Sequence, residues 1–303
     1  MSEFLTLGTR ASPLALAQAH SVAAALELAH GWSRGTVAIK AVKTSGDKIQ
    51  DRPLADVGGK ALWTKELDMA LAAGETDLSV HSMKDVESER PDLFVLAAMM
   101  ERADVRDRLI GGGSIADLPQ GARIGTSSPR RAAQLLSLRP DLNILPIRGN
   151  VETRLNKISA GDADATLLAA AGLDRLGIEA GSAIPIDVML PAPGQAAIGI
   201  ECRENDARVR TLIAPINHLP TCAAVAVERA FTRRLGGSCH SPVAAHAVAE
   251  GNAFRLHAQL LSEDGRESII DSALIAGEAD AIALAEAMLG RSPATIRALF
   301  EGL

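Results

Sequence analysis

Five arginines of this chain stand in or beside short turn-like segments. Arg10 lies in LGTRASPLALAQA, Arg130 and Arg131 in IGTSSPRRAAQL, and Arg148 and Arg154 in IRGNVETRL. A guanidinium offers a planar fork of donors that matches a carboxylate or a phosphate. Together the five imply a small polyanionic ligand. Taken singly, each is better explained as a surface ion pair. Their recurrence at strand ends and helix starts points to a ligand, because α/β sheets bind ligands there. The segment DLSVHSMKDVE adds Ser82, Lys84 and Asp85 just past an apolar run. Lys84 and Asp85 can be solvated charges at a helix start. Alternatively, Asp85 is the proton-transfer group of a cationic site, kept ionised by the positive charge around it. In LGGSCHSP, Gly236 and Gly237 leave an open approach to Cys239. Read alone, Cys239 is better explained as a structural thiol, since reactivity depends on thiolate character. Arg233, Arg234 and His240 are the neighbours that would favour the thiolate.

These groups need a frame. The first two-thirds of the chain alternates short apolar runs with helical patterns, which predicts α/β architecture with largely parallel sheets. Strands are expected at 5–8, 37–42, 78–82, 93–97, 123–126, 144–147, 165–168 and 197–201. Val22, Ala25, Leu26 and Ala29 fall at helical spacing between two of them. The two segments LGTRASP and IGTSSPRR both read strand, Gly-Thr, Ser-Pro, helix. Ser12 and Ser128 are the expected N-caps, with Pro13 and Pro129 at the first helical position. They are either two ordinary helix starts or two related lobes that aim helix N-termini at a shared cleft.

The run Gly111–Gly113 with charged residues 101–108 suggests one crossing between lobes. Residues 190–194, with two prolines, suggest a return crossing. The expected domains are therefore 1–99 with 197–217, then 100–196, then 218–303. The last should be a small α+β domain with a helix over 222–235, strands near 243–249, 255–261 and 268–275, and a tight turn at Asp264-Gly265. Helices from Glu278 and near Ala294 close the chain.

At 303 residues the chain is long enough for two or three domains. Its 31 Lys and Arg against 37 Asp and Glu give a net charge of −6, opposite in sign to a nucleic-acid binder. With aromatics at 2% and no Tyr, a base-stacking platform is also disfavoured. No apolar run reaches the length of a membrane span, and the start lacks the basic and apolar regions of a signal peptide. A cytoplasmic protein is expected. Cys202 and Cys222 are expected to be small core residues, and the histidines show no zinc-ligand spacing. Gly58-Gly59-Lys60 lacks the rest of a P-loop, and no GxGxxG follows a strand.

Eight segments carry a family resemblance. GTRASPLALAQ, KTSGD, VGGKALWTKELD, DLSVHSMKD, IGTSSPRRAAQL, IRGNVETRL, PAPGQAAIGIECR and LGGSCHSP resemble, in this order, the motifs of the porphobilinogen deaminases over residues 5–245. The resemblance implies two periplasmic-binding-protein-like domains around a cleft plus a small α+β C-terminal domain. It also implies a dipyrromethane cofactor held through a thioether to Cys239, and a monomer acting on porphobilinogen and a growing polypyrrole chain, with no nucleic acid, membrane or metal. Asp85 would be the catalytic carboxylate. Arg10, Ser12, Lys84, Ser127, Ser128, Arg130, Arg131, Arg148 and Arg154 would bind acetate and propionate groups of cofactor and chain, with Gln195 and Arg203 as further members. Trp63, Pro129, Ala196 and His240 depart from the residues more often associated with these motifs; none of them removes a charged or nucleophilic group. A solute-binding protein or an anion-dependent effector domain would use a similar two-lobed cleft. Ammonia release from porphobilinogen distinguishes the enzyme from both.

Overall fold

The computed structural model describes residues 5–44, 64–236 and 241–300. Cys239, His240, Trp63 and residues 45–47 of the KTSGD motif lie outside the described residues. The chain divides into two compact units, Met1–Ala103 with Ala197–Cys222 and Asp104–Ala196 with Ala223–Leu303.

The first unit is built on a five-stranded sheet. Its strands are β1 (Leu5–Arg10), β2 (Val37–Val42), β3 (Leu78–Ser82), β4 (Phe94–Met99) and, returning late in the chain, β10 (Ile198–Arg203). Their order is β2-β1-β3-β10-β4. β1 runs parallel to β2 and β3, whereas β10 is antiparallel to both its neighbours. The expectation of largely parallel sheets therefore holds for three strands only. A strand that returns from far along the chain can insert in either direction, because no short crossover helix dictates it.

Helix α1 (Pro13–His30) follows β1 directly. The Ser12 hydroxyl accepts from the Ala15 N–H, Pro13 occupies the first turn, and Gly31 ends the helix at φ 65°. Its inner face is Ala15, Ala19, Val22, Ala23 and Leu26. Of the four residues at helical spacing, Val22 and Leu26 are buried, Ala25 is half-buried and Ala29 exposed. Leu5, Leu7, Leu78, Val80, Ile198 and Ile200 form the core beneath this helix. Helix α2 (Lys65–Ala72) contributes buried Leu67 and Leu71 to the unit.

The second unit repeats the arrangement. Its first sheet contains β5 (Asp107–Ile110), β6 (Arg123–Gly125), β7 (Asn143–Leu145), β8 (Ala165–Ala169) and β9 (Ser182–Ala183), in the order β7-β6-β8-β5-β9. β6 is parallel to β7 and β8, and β5 is antiparallel to β8 and β9. Helices α3 (Pro129–Leu138), α4 (Val151–Ser159) and α5 (Ala170–Arg175) follow β6, β7 and β8. β5 and β9 were not foreseen. The charged residues hid β5, and Gly111–Gly113 is the turn that follows it; the division between the units falls at Ala103–Asp104, within the charged residues 101–108. Gly111 has φ 96°, and a Cβ there would stand 2.3 Å from the Asp164 carbonyl oxygen.

Helix α6 (Ala207–Ile213) follows β10, and α7 (Leu219–Arg234) runs from the end of the first unit into the second. Strands β11 (Val243–Glu250), β12 (Ala253–Leu261) and β13 (Ser268–Ile275) form an antiparallel meander, covered by α8 (Glu278–Gly290) and followed by α9 (Ala294–Arg297). Phe231, Leu256, Leu260, Ala285 and Met288 pack its core. Six residues, not a two-residue turn, join β12 to β13. The Ser262 hydroxyl donates to Asp264 at 2.7 Å, and Gly265 adopts φ 69°.

Candidate active site

In the first unit, the ends of β1 and β3 and the start of α1 open onto one shallow pocket. Among the described residues its polar wall comprises Arg10, Ser12, Gln18, Thr64, His81, Ser82 and Asp85. The local reasons are simple. Arg10 is the last residue of β1, Ser12 is the helix cap, and a single 3₁₀ turn, Met83–Asp85, swings Asp85 past the end of β3. Gln18, one turn into α1, donates to the Ser82 hydroxyl at 2.9 Å. Lys84 lies in the same 3₁₀ turn and is half-buried. Three residues expected from the sequence, Arg10, Ser12 and Asp85, are thus brought together around one cavity.

Behind this wall lies a buried ionic network. Arg90 donates from Nε to Glu201 at 2.8 Å and from Nη2 to Asp68 at 2.6 Å, and from Nη1 to Glu87 at 3.0 Å and the Thr64 hydroxyl at 3.3 Å. Glu201 also lies 3.0 Å from His81 Nε2. Burial alone would raise the Glu201 carboxyl. The hydrogen bonds and charges of His81 and Arg90 outweigh it and hold the group at about 2. For Asp68 burial prevails, and its carboxyl sits above the usual range. The sequence reading missed this network. A glutamate inside the apolar strand run AIGIECR was the one signal for it.

Arg203, also expected to bind ligand, is the last residue of β10. It donates to the carbonyls of Leu71 and Thr76, each at 2.8 Å, and to Asp206 at 2.7 Å.

In the second unit the turn after β6 repeats the turn after β1. Ser128 caps α3 by accepting from the Arg131 N–H, and Pro129 opens the helix. Ser127 is exposed and donates to the Ile147 carbonyl at 3.1 Å. Arg130 and Arg131 are only 4% and 5% exposed and converge on one carboxylate, Asp107. Arg131 grips it through Nη2 at 2.7 Å and Nε at 3.2 Å, and Arg130 through Nη2 at 2.8 Å. Gln195, fully buried, donates to the same carboxylate at 3.0 Å and to the Val105 carbonyl at 2.7 Å. Burial would raise the Asp107 carboxyl, but the two guanidiniums hold it well below the usual range; burial lowers Arg130 from its ordinary value. Asp107 was not foreseen. Arg148 follows β7 and is half-buried; Arg154 lies in α4, where its Nε donates to the Gly149 carbonyl at 2.9 Å.

Of the two cysteines in view, Cys202 is fully buried and burial pushes its thiol up to about 11. Cys222 is only half-buried, correcting the expectation of a core residue, and its thiol donates to Asn217 Oδ1 at 2.8 Å. Neither borders the pocket. No helix among the described residues is long and apolar enough to cross a membrane.

Chemically, among the described residues the pocket pairs one guanidinium and several hydroxyls with a single carboxylate. Such a donor set suits a ligand that carries both acid groups and N–H groups: the guanidinium and hydroxyls take the acids, and Asp85 takes the N–H.

Comparison with known proteins bears on this set. A family model described as "Porphobilinogen deaminase, dipyromethane cofactor binding domain" matches residues 5–211, and one described as "Porphobilinogen deaminase, C-terminal domain" matches residues 222–290. A porphobilinogen deaminase of Sphingopyxis alaskensis is 54% identical, covering 98% of this chain and 96% of that one. One from Nitrobacter winogradskyi is 50% identical over 92% of this chain and 89% of that one. Among solved structures, a putative methionine-binding lipoprotein of Bacillus subtilis aligns at 13% identity with a TM-score of 0.44, covering 72% of this chain and 92% of that one.

Proposed function

The chain belongs to the porphobilinogen deaminase family, and from that membership we propose how its residues carry out the family's reaction. The protein is a transferase, a hydroxymethylbilane synthase. It condenses four porphobilinogen units head to tail with loss of ammonia, giving a linear tetrapyrrole. Its cofactor is dipyrromethane, which when bound supplies the primer to which units are added.

The observation that carries the mechanism is that, among the described residues, Asp85 is the one carboxylate on a pocket wall whose other polar groups are a guanidinium, an imidazole, an amide and hydroxyls. Departure of ammonia from the aminomethyl group of porphobilinogen leaves a carbon poor in electrons, conjugated to a ring N–H. A fixed carboxylate beside it stabilises that developing positive charge and accepts the N–H. Asp85 does this. Arg10 and Ser12 hold acetate and propionate groups, each charge-assisted hydrogen bond contributing about 1.5–3 kcal/mol. The N-terminus of α1 adds to the attraction. Lys84, Ser127, Ser128, Arg148 and Arg154 bind the remaining acid groups of cofactor and lengthening chain. Arg130, Arg131, Gln195 and Arg203 belong to the reading in another role. They donate to Asp107, Asp206 and backbone carbonyls, which supports a role in setting the turns that present the contacting groups. Cys239, outside the described residues, carries the cofactor through a thioether.

The wider reading is a cytoplasmic monomer of three domains, 1–99 with 197–217, 100–196 and 218–303, that binds neither nucleic acid nor membrane. The net charge of −6 supports the absence of nucleic acid, and the separate hydrogen bonding of the three sheets supports the three domains. The deciding experiment is an intact mass under denaturing conditions, with Cys239→Ser alongside. Excess mass equal to two porphobilinogen units less two ammonias, absent from the variant, is expected. A bare mass that persists after incubation with porphobilinogen overturns the reading.

A further inference from the structure

One titratable side chain on the pocket wall has no part in the reaction as described. His81 lies on β3, beside Ser82, and its Nε2 is 3.0 Å from Oε2 of fully buried Glu201. Arg90 donates to both oxygens of the same carboxylate, at 2.8 and 2.9 Å. A carboxylate in that clasp offers only lone pairs, so the Nε2 of His81 carries a proton and donates it. Nδ1 is then the ring's basic nitrogen, and it makes no hydrogen bond among the described residues. The charged groups around the ring come from every packed element. They are Glu201 on β10, Asp68 on α2, Glu87 and Arg90 before β4, Arg10 at the end of β1 and Asp85 in the 3₁₀ turn.

The chemistry calls for such a nitrogen. Asp85 has to stay charged beside the developing cation, so it is poorly suited to keep the proton that leaves when two rings join. We propose that His81 is a second proton-handling group of this pocket, positioned by Glu201 and Arg90, and that its Nδ1 takes the proton displaced from the pyrrole α-carbon. The proposal rests on the deaminase reading above. In the step, a carbon–carbon bond forms at the α-carbon and the C–H bond breaks, its electron pair staying with the ring. The proton passes to Nδ1. The protonated amine departs as ammonia with the C–N electron pair and afterwards takes up that proton, so ammonium is the net product.

Two measurements test the assignment. His81→Gln keeps an N–H for Glu201 but has no basic nitrogen. It is expected to lower kcat by about 10²–10³-fold while KM for porphobilinogen stays within about threefold. Nitrogen-15 spectra of the wild-type protein should show the His81 ring as the Nε2–H form, and Glu201→Gln should redistribute the two tautomers. A kcat within about threefold of wild type overturns the role. So does an Nδ1–H ring in the wild-type spectra, which decides the matter even where the variant does not fold. Wild-type protein that releases no ammonia from porphobilinogen fails the deaminase reading itself. Normal wild-type turnover left intact by His81→Gln fails only the role of His81.

Discussion

The turns at Gly8–Pro13 and Gly125–Pro129 both start with Gly-Thr and end in a Ser-Pro helix cap, yet their arginines are placed differently. Arg10 precedes its cap, ends a strand and borders the pocket. Arg130 and Arg131 follow their cap and proline, at the second and third helical positions, and both reach buried Asp107. Side chains in a first helical turn lean back toward the N-terminus and the sheet beneath. A position before or after the cap therefore decides whether a guanidinium borders the pocket or reaches the buried carboxylate. The charge balance behind the two turns is also reversed. In the first unit one guanidinium, Arg90, serves three carboxylates. In the second, one carboxylate serves two guanidiniums.

That contrast can be broken experimentally, and the largest effect is expected where the pocket is. Asp85→Asn should fold normally and lose on the order of 10²–10⁴ in the rate of ammonia release; near-normal turnover would remove the carboxylate from the reaction. Asp107→Asn should act on stability instead. It leaves two buried guanidiniums without their counter-charge, a loss of about 3–5 kcal/mol by chemical denaturation. A cost below 1 kcal/mol would mean that Arg130 and Arg131 have another anion to hold.

The acid limb of stability sharpens the comparison further. The Glu201 carboxyl titrates at about 2 in the folded protein against an ordinary 4.5, so the unfolded chain takes up its proton first. Its contribution is whole above the ordinary value and is lost as pH falls toward about 2. Glu201→Gln should flatten that part of the stability–pH curve; an unchanged slope would dissolve the assigned network. The smallest effect concerns the caps. Ser12→Ala and Ser128→Ala should each lower stability by about 1 kcal/mol, and clearly unequal losses would end the likeness of the two turns.

Much of the frame was legible because it is local. Leu78–Ser82 and Val37–Val42 are apolar runs of strand length, and Ser12 and Ser128 are caps by residue type and by the proline that follows. β5 escaped notice because Asp107 and Arg108 read as surface charge. In the fold, Asp107 is neutralised by arginines 23 and 24 residues away.

The residues of the site divide along the same line. The eight motifs were enough for the family, and they named Asp85, Arg10 and Ser12, whose placement depends only on where a strand ends and a helix begins. Which arginines are engaged internally, and which imidazole shares a carboxylate, depended on sheet order. Glu201 meets His81 across 120 residues only because β10 pairs with β3. An ion pair is a property of two positions in space. A sequence specifies its members one at a time, and only the packing of distant strands decides which of them meet.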